Sequence, residues 1–199
     1  MKPTIQSLVS SMDAGPLQNT CRWLAEEAVL HRPFGLWPAS LSHHHAYPGG
    51  LLAHTVEVAG LALSIMNSGH VNRHFRNEVI AACLWHDYGK VFEYELMDKE
   101  KVPEGRRTLS FMGMNLVWAK KLDVGEDSHP HIGWSADSFL KVAGECGLNA
   151  DYTRRVELMI LSHHGRPEWG SPIEPTGVGW VVHAADMLSA RVGATLSKP

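Results

Sequence analysis

The reactive side chains of this chain are its histidines and the acids that stand beside them. There are 13 histidines in 199 residues, and imidazole is the commonest side-chain ligand of a metal ion. They recur at the ends of apolar runs. His54 lies one turn into the stretch that follows Gly49-Gly50. His86-Asp87 closes ACLWHDYGK, His129 and His131 sit in SHPHIGWS, and His163-His164 end ILSHH. Asp186 lies in WVVHAADMLSA, one turn after His183. Taken singly, most have a plain role: a core histidine satisfied by a neighbour, a solvated loop for His43-His44-His45, a hydrogen bond between His183 and Asp186. His86-Asp87 resists that treatment. An imidazole and a carboxylate buried together at the end of an apolar helix are costly unless a metal or a partner compensates. The two oxygens of the aspartate point apart and can bridge two ions. Nitrogen and oxygen donors without thiolate suit Mn²⁺, Fe²⁺, Co²⁺, Ni²⁺ or Mg²⁺ better than a structural zinc site.

Composition removes other classes. Cys21, Cys83 and Cys146 form no CxxC pair, which sets aside zinc fingers, iron–sulfur clusters and a disulfide framework. A net charge of −3 argues against a broad basic face that grips long nucleic acid. No apolar run approaches the ~20 residues of a membrane span, and the start MKPTIQSLVSSMDAGPLQ has no apolar core with a cleavage site. A cytoplasmic protein without a membrane partner is expected.

The elements that must position these side chains are mostly helical. Apolar periodicity predicts helices over 16–31, from Gly50 through LLAHTVEVAGLALSIMN, and over 74–90, about 112–121, 133–146, 150–163 and 176–193. Residues 32–50 carry three prolines and read as a loop. Residues 91–111 alternate and turn at Pro103-Glu104-Gly105, which predicts a small β-hairpin excursion. With 44% hydrophobic and 20% charged residues and no repeat or long linker, the expectation is one all-α domain over 1–199. Residues 1–37 would form an N-terminal helical extension and 38–191 the core that bears the motifs.

The ordered set His54, His86-Asp87, His131, His163 or His164, Asp186 resembles the H…HD…H…H…D signature of the HD superfamily of metal-dependent phosphohydrolases. The HDxGK variant stands intact as His86-Asp87-Tyr88-Gly89-Lys90. HHAYPGGLLAHTVEVA (44–59) and LSHHGRPEWGSPIEP (161–175) are similar to segments of YhaM-type 3′–5′ exoribonucleases, with comparable segments in the HD domain joined to relaxases of conjugative elements. SHPHIGWS and HAADMLSARV fit the same pattern, so the resemblance runs from about Pro38 to Arg191.

This resemblance implies a bundle of helices whose ends converge on divalent ions, two per chain, with Mn²⁺ or Fe²⁺ favoured. His54, His86, Asp87 and Asp186 would hold the first. Asp87 would bridge to a second, completed by His131 and one or both of His163 and His164. Two ions so held acidify a water and clamp the attacking and leaving oxygens of an in-line displacement. Lys90 would stabilise charge on a phosphate oxygen, or else simply oppose the helix dipole. His44, His45 or His183 could give the leaving group its proton. Arg106 and Arg107 would bind substrate phosphates or stay solvated, and Lys120-Lys121 reads as surface. Trp169, on a loop, is the candidate for stacking a base, whereas Trp85, Trp134 and Cys83 read as core.

Only 37 residues precede the motif block, too few for the OB-fold by which YhaM-type enzymes grip RNA. The expected reaction is therefore phosphodiester or phosphate-ester hydrolysis on a nucleotide, a cyclic dinucleotide or a short oligonucleotide, not processive RNA degradation. Two other readings use the same ligands: a di-iron oxygenase of the HD type, and a non-catalytic, relaxase-associated module of a mobile element.

Overall fold

The computed structural model describes residues 3–26, 33–121, 123–125 and 129–196. Its core grows outward from α4, Arg76–Trp85, in which every residue from Val79 to Trp85 is buried. The run VIAACLW has no polar face, so this helix can only lie inside a bundle. Its one buried charge, Glu78, is held by Arg155 at 3.1 Å.

Around α4 stand α2 (Pro16–Glu26), α3 (Gly50–Asn67), α7 (Ala150–Leu161) and α8 (Gly179–Leu196). The short α1 (Ile5–Ser10) opens on a capping box between Thr4 and Ser7 and packs on α2. Pro16 takes the first position of α2, where its missing N–H costs nothing. Residues 27–31 of the first expected helix lie outside the described residues. Among the described residues α3 is the one helix long and apolar enough to cross a membrane. Here it lies against α4 and α8, with Leu51, Val58, Ala59, Ala62 and Met66 buried.

The helix expected over 74–90 is divided. A 3-10 turn at Arg73–Phe75 precedes α4, and after Trp85 the chain turns through Asp87–Gly89 into the single-turn α5, Lys90–Glu93. That break has a steric cause. A Cβ at Gly89 would collide with the backbone carbonyl of His131, so only glycine lets this turn rest on the start of α6, His131–Glu145. Ser135 Oγ completes the contact by accepting the Gly89 N–H at 2.8 Å.

The β excursion is present and larger than expected. Strands β1 (Tyr94–Asp98), β2 (Thr108–Ser110) and β3 (Leu116–Lys120) form an antiparallel sheet of order β1-β3-β2. Tyr94 pairs with Lys120 and Asp98 with Leu116, while Thr108 pairs with Ala119. The helix expected over 112–121 is thus corrected to the central strand. Val117, Trp118, Ala119 and Lys120 are all buried, so the strand shows no alternation. A short run buried on both faces carries no period that distinguishes strand from helix. Trp118 sits with Leu41 and Tyr94 in a second small core that binds the sheet to the loop before α3.

Candidate metal centre

Five elements meet at one point. α4 delivers His86 as its C-cap, the following turn delivers Asp87, and α3 and α8 contribute His54 and Asp186. His131 is the first residue of α6, and His163-His164 follow the end of α7. All but His164 are buried, with Asp186 the most exposed at 7%.

The acceptor atoms face one another. His54 Nε2 lies 3.1 Å from Asp186 Oδ1, 3.5 Å from Asp87 Oδ2 and 3.2 Å from His86 Nε2. His86 Nε2 lies 3.5 Å from Asp87 Oδ2. On the other side, Asp87 Oδ1 is 3.4 Å from His131 Nε2 and 3.7 Å from His163 Nε2. Ligand atoms of His131, His163 and His164 lie within 4.8 Å of one another, as do those of His54, His86 and Asp87. Asp87 therefore turns one oxygen toward each group.

The opposite ring nitrogens decide the tautomers. His86 Nδ1–H donates to the Cys83 carbonyl and His163 Nδ1–H to that of Ile160, each at 2.7 Å. His164 Nδ1–H donates to the Trp169 carbonyl at 3.0 Å. His131 Nδ1–H donates to Glu93 at 2.8 Å. Ser189 Oγ gives its proton to Glu57, so it accepts from His54 Nδ1 at 2.9 Å. With Nδ1 engaged in this way, each ring turns its Nε2 toward the centre, the nitrogen that would ligate a metal.

Lone pairs and carboxylate oxygens crowded at 3.1–3.8 Å repel unless a cation lies among them. His131 Nε2, His163 Nε2 and Asp87 Oδ1 are buried and have no hydrogen-bond partner, a costly state for a polar atom. The donor set fits divalent metal ions on this ground. Burial pushes His54 and His163 down, and His164 to about 4, which keeps their lone pairs unprotonated at neutral pH. Burial acts the same way on His86, but the neighbouring Asp87 charge outweighs it and raises this one. Burial would also raise Asp87, yet Lys90 and His86 hold it well below the carboxylate range.

Several supporting residues carry no sequence signal. Glu93 holds His131 and also pairs with Lys120 at 2.9 Å. Burial would raise its carboxyl, but His131 and Lys120 hold it down at about 2. Lys120, read as surface from the sequence, is buried for this reason. Glu57 accepts from both Ser189 and His45. Only its place one turn after His54 hints at a part in the site.

A cavity of about 1300 Å³ opens onto the centre, lined among others by His44, Lys90, Arg107, Lys120, His164 and Trp169. Lys90 Nζ reaches Asp87 Oδ2 at 2.7 Å while bordering this space. His44 contributes to the wall, and burial together with His54 pushes it down to about 2. His45 Nε2 meets Glu57 at 2.9 Å while a ring nitrogen of His45 stays within 4.8 Å of ligand atoms of His44 and His54, and Arg106 donates to the Val124 carbonyl. Neither lines the cavity. His183 donates to the His163 carbonyl at 2.8 Å, not to Asp186 as its spacing suggests. Trp85 and Cys83 are fully buried core.

The chain is similar to curated proteins named 3′-5′ exoribonuclease YhaM. It is 28% identical to that of Bacillus pumilus over 193 residues, 29% identical to that of Bacillus licheniformis over 193, and 28% identical to that of Listeria monocytogenes serotype 4b over 192. Each alignment covers 96% of this chain and 53–54% of the relative. The chain thus spans about half the length of the curated relatives it matches. A family model described as "Putative helicase" matches residues 24–93, the segment that holds α3, α4 and α5. No solved structure matches.

Proposed function

We propose that this chain is a metal-dependent phosphohydrolase of the HD superfamily, cleaving phosphodiester bonds of a nucleotide, a cyclic dinucleotide or a short oligonucleotide. The observation that carries this reading is the convergence of unpartnered buried acceptors, His131 Nε2, His163 Nε2 and Asp87 Oδ1, beside the pair His54 Nε2 and His86 Nε2. His54, His86, Asp87 and Asp186 would hold one divalent ion, and Asp87, His131, His163 and His164 a second. When bound, such ions supply Lewis-acid stabilisation of phosphoryl oxygens and a water acidic enough to attack near neutral pH.

The chain's own groups do the rest. Asp87 orients both ligand sets through its two oxygens, and Lys90 brings a point charge to the same cluster. Arg107 and Arg191 border the cavity with positive charge, which suits phosphate, while Lys120 is paired with Glu93. Burial and the neighbouring His54 favour the neutral form of His44, which suits a hydrogen-bonding part of the cavity wall. At about 1300 Å³ the space exceeds the ~300–1000 Å³ of a drug-sized ligand site, which is ample for a nucleotide-sized substrate. The nuclease names of the relatives support hydrolysis of nucleic acid. The segment matched by the helicase model holds His54, His86 and Asp87 of the metal-ligand candidates and no G-x-x-x-x-G-K-[ST] loop.

The test pairs metal analysis with turnover on anaerobically purified protein and on Asp87→Ala. The panel holds short RNA and DNA oligomers, cyclic and linear dinucleotides and nucleotides, with Mn²⁺ or Fe²⁺ added. About two metals per chain and ester cleavage lost in the variant are expected. Two irons with O₂ uptake and no ester cleavage would overturn the reading in favour of an oxygenase.

A further inference from the structure

Two exposed aromatic rings, Tyr47 and Trp169, border this cavity, and the indole offers the larger face. Trp169 is 52% exposed and borders the same space as Lys90, His164 and Asp186. It ends a single 3-10 turn, Pro167–Trp169. The loop around it is pressed into place rather than draped. Gly165 and Gly170 both have φ of 93°, a conformation that favours glycine. A Cβ at Gly165 would lie 2.5 Å from His183 Cε1, and one at Gly170 2.5 Å from His129 Cδ2. The Trp169 carbonyl accepts the Nδ1–H of His164 at 3.0 Å. The indole is therefore tied by its own backbone to a metal-ligand candidate. Its ring runs parallel to that of His183, with centroids 6.1 Å apart, and the Arg166 guanidinium lies 5.9 Å from its centroid.

We infer that Trp169 is a stacking platform for a nucleobase whose phosphate lies at the metal centre. The inference rests on the phosphohydrolase reading and adds to it a base-binding subsite. An exposed indole gains little from the fold, whereas a base laid on it removes two apolar faces from water at once. Every base has such a face, so the subsite tolerates any sequence. It also demands an unpaired base, because one stacked inside a duplex offers no free face. Arg166 beside the ring supplies a cation for the adjoining phosphate or for the base itself.

The test is a binding measurement that needs no turnover. The protein, once chelator-treated and once supplied with Ca²⁺, is titrated by fluorescence anisotropy with a labelled six-nucleotide uridine oligomer. Two further probes are the same oligomer lacking its 3′-terminal or its 5′-terminal base. For the native chain, loss of the base at the end that stacks should weaken binding about tenfold, within the roughly 5- to 150-fold that one stacked base contributes. Trp169→Ala should bind the intact oligomer that much more weakly and cease to distinguish it from the abasic probe. Trp169→Phe should retain most of both properties, which separates lost stacking from a damaged fold. A Trp169→Ala protein that binds like the native chain, or that still discriminates the abasic end, overturns the inference. Failure of the native protein to bind any of the oligomers overturns it as well. Absence of ester cleavage in the separate turnover assay would count against the phosphohydrolase reading alone.

Discussion

Asp87 and Glu93 lie six residues apart and do opposite work with the same functional group. Asp87 points both oxygens into the centre, while Glu93 stays behind His131 and aims its ring. A carboxylate behind a ligating imidazole fixes the tautomer and raises ligand basicity, and removing one typically costs 10- to 100-fold in metal affinity. Glu93→Gln should therefore weaken Mn²⁺ binding by roughly that factor, measured by equilibrium dialysis with elemental analysis. Unchanged affinity would mean that His131 is not a ligand. The ligand candidates were legible because histidine and aspartate at the ends of apolar runs are chemically conspicuous. Glu93, Glu57 and Ser189 were not, since a carboxylate or hydroxyl in a polar stretch looks like solvated surface until the fold brings an imidazole to it. Lys120 was misread for the same reason: its partner Glu93 is 27 residues away in sequence and directly opposite in space.

At the scale of elements, the site depends on how closely the turn after α4 rests on α6. Gly89→Ala would drive a methyl group into the His131 backbone. Overpacking of this kind costs about 1–3 kcal/mol, a fall in Tm of roughly 2–12 °C for a chain of this size. Because the displaced residue is His131, metal affinity should fall with it, and both are read from thermal unfolding with and without Mn²⁺. A stable Gly89→Ala protein with native affinity would show that the turn is free to move. Helices α3, α6, α7 and α8 were legible from their apolar spacing and lie within a few residues of their expected bounds. Strand β3 was not, because its run LVWAK is buried throughout and owes its conformation to β1 and β2 on either side.

For the whole molecule, the centre is a point where α3, α4, α6, α7 and α8 meet with acceptors facing acceptors. A cation bound there would offset that repulsion, so the proposed function links metal to fold stability. Saturation with Mn²⁺ at about 100 times its Kd should add about 2.7 kcal/mol, raising Tm by roughly 5–11 °C over chelator-treated protein. Asp87→Ala should lose most of that increment while remaining folded. A melting temperature indifferent to metal in the native chain would sink this linkage.

Residue type and local period were enough to pick out the ligand candidates and the helical class. Which nitrogen of each ring faces inward, which carboxylates stand behind them, and that Trp169 borders the same cavity as the metal candidates follow from the packing of distant elements. Those facts depend on residues up to 135 positions apart, as His54 and Ser189 are. Local propensity carries no information at that range, whereas packing of α3 against α8 brings the two side chains to hydrogen-bonding distance.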